Sequence, residues 1–81
     1  MNMNNIVCKR VGGGVITLFF LGDRKGPWQV AETFSGSSWY IVNVNTKKYK
    51  RIGPVRSKGR NYYDEAGDEA DKRNTKINAA E

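Results

Sequence analysis

The stretch that decides the fold is residues 28–52, WQVAETFSGSSWYIVNVNTKKYKRI. Its apolar residues are mostly β-branched or aromatic, and turn-forming residues interrupt it at Ser35-Gly36-Ser37 and again at Asn45-Thr46. Between these turns, one face of an extended segment would carry Tyr40, Val42 and Val44, and the other would carry Trp39, Ile41 and Asn43. The stretch therefore predicts three antiparallel strands, over Trp28–Phe34, Ser38–Val44 and Lys47–Ile52.

Two further strands are predicted before this stretch, over Ile6–Val11 and Val15–Leu21, with the turn Gly12-Gly13-Gly14 between them. The run Val15–Leu21 is almost continuously apolar, which favours burial on both faces and the central place in the sheet. The loop Gly22–Pro27 then leads into Trp28. We expect an antiparallel sheet of four or five strands over residues 4–52, either open or curled like a small barrel.

The period of the apolar pattern changes after the predicted basic loop at residues 53–60. Asn61 is a suitable N-cap, Asp64 and Glu65 suit the first helical turn, and Lys76 suits the last. These features predict one C-terminal helix over residues 61–77, docked weakly on the sheet, with a frayed tail at 78–81. The fold class is therefore α+β, in a single domain over residues 1–81, because 81 residues cannot bury two separate cores.

Composition excludes most catalytic chemistry. The chain has no histidine and one cysteine, so a Ser-His triad, an imidazole base, a His-ligated zinc and an intrachain disulfide are all excluded. The carboxylates between Asp64 and Asp71 lack EF-hand spacing and read as a solvated helix face. We expect no enzyme, no cofactor and no metal; a metal-independent ribonuclease using tyrosine, glutamate and cations is the less favoured alternative.

The single cysteine and the short apolar runs indicate the cellular compartment of the chain and whether it contacts a membrane. Cys8 falls in a predicted strand, where a small core residue is the favoured interpretation over a nucleophile. A single unpaired cysteine favours a reducing, cytoplasmic environment. The run Val15–Leu21 is far shorter than the roughly 20 apolar residues that span a membrane, so we expect no membrane partner.

The strongest functional feature is the separation of charge along the chain. Residues 1–60 hold 11 Lys and Arg against 2 acids, a balance of +9, whereas residues 61–81 hold 3 against 6. Seven cations fall between residues 47 and 60 with no acid among them. Cations neutralise phosphates, and an interleaved tyrosine can stack on bases. The predicted nucleic-acid-binding residues are Lys47, Lys48, Tyr49, Lys50, Arg51, Arg56, Lys58 and Arg60.

These observations favour a non-enzymatic nucleic-acid-binding module, with DNA preferred to RNA, acting as a small regulator or accessory factor in a phage-like setting. Lysines on an edge strand also prevent sheet-to-sheet aggregation, but this explains two or three cations rather than seven. The alternative function is an inhibitor or adaptor that docks an acidic protein surface, anchored by Trp28, Trp39 or Tyr40. A further hypothesis is that the acidic segment Asp64–Asp71 lies beside the basic loop and screens it.

About half of the chain carries a resemblance to known DNA-binding families. The order of strand Trp39–Val44, turn Asn45-Thr46, strand Lys47–Ile52 and a helix containing Ala66 and Ala70 is similar in outline to AP2-type domains and integrase arm-binding domains. The resemblance implies a three-stranded sheet that lies in the major groove of DNA.

Overall fold

The computed structural model describes residues 4–79, and the side chains of residues 4–77, as an antiparallel sheet with one helix. Consecutive strands are neighbours throughout, in the order β1-β2-β3-β4-β5. The predicted α+β class is confirmed, with five strands, and the sheet is not closed into a barrel. The elements are β1 (Asn4–Lys9), β2 (Val15–Phe20), β3 (Trp28–Thr33), β4 (Ser38–Asn43), β5 (Tyr49–Pro54) and α1 (Tyr62–Ala79).

The central strand is β3, and the prediction that Val15–Leu21 is central is wrong. The first four residues of β3, Trp28–Ala31, are all buried, whereas Val15 at the start of β2 is 61% exposed. The reason is that α1 packs on β3, β4 and β5, so one face of β2 has no covering layer. An apolar run shows that a strand is hydrophobic, but it does not show where the helix packs, and the helix decides which strand faces are buried.

Strand β5 begins and ends two residues later than the sequence predicts. Asn43 builds the preceding turn: its side-chain Oδ1 accepts hydrogen bonds from the backbone N–H groups of Asn45 (2.9 Å) and Thr46 (3.0 Å). Lys47 adopts a left-handed conformation with φ 64°. Lys47 and Lys48 therefore belong to the turn, and Gly53 and Pro54, which the sequence assigns to the basic loop, belong to β5.

Two apolar clusters lie on opposite faces of the sheet. On one face, Trp28, Val30 and Ile41 pack against Ala66 and Ala70 of α1. The other face has no helix, and its cluster joins residues from both ends of the sheet. Its buried members are Cys8, Ile16, Leu18, Ala31 and Val42. Because Cys8 of β1 and Val42 of β4 share this cluster although their strands are not neighbours, the sheet must curl over this face.

The sequence predicts that the helix docks weakly, but in the structure specific side-chain contacts join it to the sheet. Asn74 is 3% exposed, and its side-chain amide both accepts a hydrogen bond from the Trp28 N–H (2.8 Å) and donates one to the Trp28 carbonyl (3.0 Å). Close approach is also needed at Gly67, where a Cβ would lie 2.6 Å from the Arg24 guanidinium. A buried amide bonded to strand backbone fixes the position of α1 on β3.

The predicted start of α1 agrees with the structure, whereas its helical part extends two residues beyond the predicted end. Asn61 caps the helix, because its Oδ1 accepts a hydrogen bond from the Asp64 N–H at 3.3 Å. At the other end, the predicted frayed tail covers residues 78–81. Asn78 and Ala79 are helical, and the rest of that tail lies outside the described residues.

Candidate functional site

Five of the predicted phosphate-binding cations lie along the edge of the sheet formed by β5. Lys47 and Lys48 occupy the β4–β5 turn, Arg51 lies within β5, and the loop that follows Pro54 carries the other two. All five are exposed. From Lys48 to Arg56 the chain can span roughly 26 Å, at about 3.3 Å per residue. We call this set the β5 cation row: Lys47, Lys48, Arg51, Arg56 and Lys58.

Arg60 is not part of the row, in contrast to the sequence prediction. Its guanidinium donates two hydrogen bonds to the Glu65 carboxylate, at 2.6 and 2.9 Å, and lies 4.9 Å from the centre of the Tyr62 ring. The hydrogen bond raises the pKa of Arg60 and lowers that of Glu65. Arg60 is therefore engaged by the start of α1, and its charge is compensated locally.

Lys50 also departs from the prediction, because it lies on the other face of β5. It pairs in register with Ile41, whose side chain packs beneath α1, whereas Arg51 pairs with Tyr40 on the opposite face. A hydrogen bond from Arg73 is the main cause that lowers the pKa of Glu69, and the charge of Lys50 contributes to the same shift. Lys50 thus faces the acidic helix rather than the row.

An aromatic pair lies beside Arg51 on the concave face of the sheet. The rings of Tyr40 and Tyr49 have centroids 5.9 Å apart, and both residues are half-buried. Arg51 donates a hydrogen bond from Nε to the Ser38 hydroxyl at 3.4 Å. The predicted stacking residue Tyr49 therefore lies beside a row cation on the same face of β5.

The acids that form salt bridges in the described part of the chain are all engaged away from the row. Asp71 binds Arg24 at 2.9 Å, and Glu69 binds Arg73 at 2.7 Å. Together with the Arg60–Glu65 pair, these contacts use most of the negative charge of α1. Among residues 4–77, Arg60 is the cation of the predicted site that forms a salt bridge with α1, and no row cation has an acidic oxygen within 4.0 Å. Screening of the basic loop by the acidic segment over longer distances stays a prediction.

The predicted partner anchors are less accessible than the sequence implies. Trp28 is only 8% exposed, and the Arg73 guanidinium covers its ring at 4.5 Å. Trp39 is half-buried, with its ring 4.9 Å from that of Tyr63. Trp28 is therefore a core residue rather than an exposed anchor, because α1 packs over β3.

A second surface feature was missed by the sequence analysis. The open seam of the curled sheet leaves a groove of about 820 Å³ between the β1–β2 hairpin and the β4–β5 turn. Burial raises the pKa of Cys8, which is one of the lining residues, and the nearby Lys47 lowers it by a smaller amount. We call this the seam groove; one wall is Val7, Cys8, Lys9, Val11 and Val15, and the other is Thr46, Lys47, Lys48 and Tyr49.

Three valines of the seam groove are conspicuously exposed. Val7 is 49% exposed, Val15 is 61% exposed and Val11 is fully exposed. Their sequence reads as ordinary strand and turn, since nothing local shows that the sheet curls or that α1 leaves β1 and β2 uncovered. The sequence gives one indirect signal. The predicted strand Val15–Leu21 is apolar on both faces, and the chain has one predicted helix, which cannot cover every apolar face of the sheet.

Within the described part of the chain, no group of three or more metal-ligating side chains is placed to hold a metal ion. No helix there combines the length and the apolar character needed to cross a membrane. The sheet has five strands rather than the three implied by the resemblance to AP2-type and integrase arm-binding domains. Comparison with protein-family models, curated proteins and solved structures found no match to this chain.

Proposed function

We propose that this chain is a non-enzymatic nucleic-acid-binding module that contacts phosphates through the β5 cation row. One observation carries the proposal: within residues 4–77, five exposed cations follow one sheet edge without an acidic partner, while three of the five helix acids pair with Arg24, Arg60 and Arg73. A row of uncompensated cations raises the local concentration of a polyanion and releases its counterions on binding. The corresponding role is a small regulator or accessory factor.

The shape of the row supports DNA as the preferred nucleic acid. Fully extended, the part of the row from Lys48 to Arg56 would reach roughly 26 Å at most, the length of about eight base pairs at about 3.4 Å per pair along one strand. The major groove of B-DNA admits a two-stranded β-ribbon, and β4 with β5 forms such a ribbon. The major groove of A-form RNA is too narrow and deep for side chains to read. Tyr49 would then lie close to the bases while Arg51 contacts the backbone.

The proposed compartment is the cytoplasm. Cys8, the single cysteine of the chain, is an unpaired thiol with no exposed surface. Free thiols stay reduced in a reducing compartment such as the cytoplasm, where disulfides are rare.

Salt dependence of binding tests the proposal. If all five row cations meet phosphates of duplex DNA, log K falls against log salt with a slope of about −4.5, and affinity falls about 500-fold from 50 to 200 mM salt. Fluorescence anisotropy with a labelled random-sequence duplex measures this slope, and matched single-stranded DNA and duplex RNA probes measure the preference. A slope near zero for every probe would refute phosphate binding, and tighter binding to duplex RNA would refute the preference for DNA.

A further inference from the structure

We propose that the seam groove binds an extended, acidic peptide segment of a partner protein, which adds to the free edge of β1 as a sixth strand. This inference does not depend on nucleic-acid binding, because the strand edge and the valines that carry it belong to β1 and β2. The groove shares Lys47 and Lys48 with the β5 cation row, so the two proposed surfaces overlap at the β4–β5 turn.

The edge of β1 is suited to strand addition. Within residues 4–79, β1 pairs only with β2, through six consecutive residue pairs with no register shift, so its other edge is regular and has no strand partner in that part of the chain. The opposite edge of the sheet is protected, because β5 contains Pro54 and its pairing with β4 is interrupted at Trp39/Tyr40. An exposed, uninterrupted edge offers backbone donors and acceptors to an incoming strand.

The groove beside this edge supplies an apolar wall. Val7 and Val15 lie on the face of β1 and β2 that α1 leaves uncovered, and both are about half exposed or more. Val11 lies in the β1–β2 turn, two residues after the end of β1, and is fully exposed. A peptide lying along β1 would remove these side chains from water, which is the main favourable term in peptide docking.

Charge complementarity selects an acidic occupant. Three ammonium groups line the groove, from Lys9 on one wall and from Lys47 and Lys48 on the other, and no acid lines it. None of the three forms a salt bridge among residues 4–77. A second copy of this chain is disfavoured as the occupant, because its β1 would bring Lys9 and no acid into a groove already lined by three lysines.

The register of β1 predicts which residues the peptide presents. Val7 and Lys9 are two residues apart and therefore point to the same face of the strand. A strand paired with β1 places one of its side chains beside each of them, and opposite charges favour such neighbours. The preferred segment therefore has an apolar residue beside Val7, a carboxylate beside Lys9 and an apolar residue toward Val11.

The test uses the labelled peptide SVTETVS and its charge-reversed counterpart SVTKTVS, with anisotropy on the full chain. The native chain should prefer the glutamate peptide, and Lys9→Glu should reduce that preference by about 5- to 30-fold. Lys25→Glu makes the same change of charge outside the groove and should leave the preference within about twofold. N-methylation of alternate peptide amides should abolish binding if main-chain hydrogen bonds to β1 hold the peptide.

Hydrogen exchange on the complex locates the peptide. Binding should slow exchange at the β1 amides that do not bond to β2, without altering β5. The proposal is overturned if both peptides bind equally, if N-methylation has no effect, or if the protected amides lie elsewhere. It is also overturned if oligothymidylate rather than the peptide protects β1, or if sedimentation shows a dimer formed through β1.

Discussion

The bond between Asn74 and the Trp28 backbone predicts a large loss of stability when the side-chain amide is removed. Asn74→Ala would leave the Trp28 N–H and carbonyl without their partner in a site where Asn74 is 3% exposed. Each unsatisfied buried group costs about 1–3 kcal/mol, so the variant should lose about 2–5 kcal/mol. That is a large share of the roughly 5–10 kcal/mol expected for a small domain.

Urea denaturation followed by tryptophan fluorescence measures this loss, since both tryptophans, Trp28 and Trp39, pack in the cluster beneath α1. In thermal unfolding, each kcal/mol should lower Tm by about 4–8 °C. Thr75→Ala is the matched control: Thr75 is the next residue of the helix, is exposed, and should change stability by less than about 0.5 kcal/mol. If Asn74→Ala costs no more than Thr75→Ala, the amide does not hold the helix on the sheet.

Three further predictions concern packing and pH. Leu18→Ala should cost about 2–5 kcal/mol in urea denaturation, because Leu18 has no exposed surface in the cluster that no helix covers; a cost below 1 kcal/mol would contradict that burial. Gly53→Ala should cost about 1–3 kcal/mol in the same assay, because its Cβ would overlap the Tyr62 ring, and an unchanged midpoint would contradict the close approach. The pKa of Glu69 is lowered mainly by its hydrogen bond from Arg73, so its contribution to stability is complete above the unfolded pKa of about 4.3 and is lost as pH falls through the lower folded pKa. Glu69→Gln should therefore show a smaller fall in Tm than the native chain below about pH 4.5. If the two chains show the same dependence of Tm on pH, the Glu69 carboxylate does not contribute to stability in this way.

The fold was predictable where local pattern and burial agree. The alternation in residues 38–44 correctly separates Ile41, which lies beneath α1, from Val42, which lies in the opposite cluster. The same reasoning failed for Val15–Leu21, because hydrophobicity cannot show that α1 covers β3 rather than β2. Asn74 was not predictable either, since its partner Trp28 lies 46 residues away in the chain.

The candidate site was also predictable only in part. The density of lysine and arginine along the sequence located the β5 cation row, but it does not show which of these cations are paired with acids. The Arg60–Glu65 pair spans five residues, and Lys50 has the opposite strand parity to Arg51, so both exclusions follow from patterns present in the sequence. Recognition of the groove beside Lys9 requires knowledge that the sheet curls, which no local pattern supplies.

The central claim is that the position of the β5 cation row, rather than net charge, drives binding, and a charge-matched comparison tests it most directly. One variant replaces Arg51, Arg56 and Lys58 with glutamine, and the other replaces three exposed lysines outside the row and the groove. The control set is Lys25, Lys72 and Lys76. Both variants lower the formal net charge from +6 by the same amount. On duplex DNA, the row variant should flatten the salt slope by about 2.7, at about 0.9 for each lost phosphate contact, and the control variant by less than about 0.5. Equal changes in the two slopes would show that net charge alone governs binding and would contradict the proposed interface.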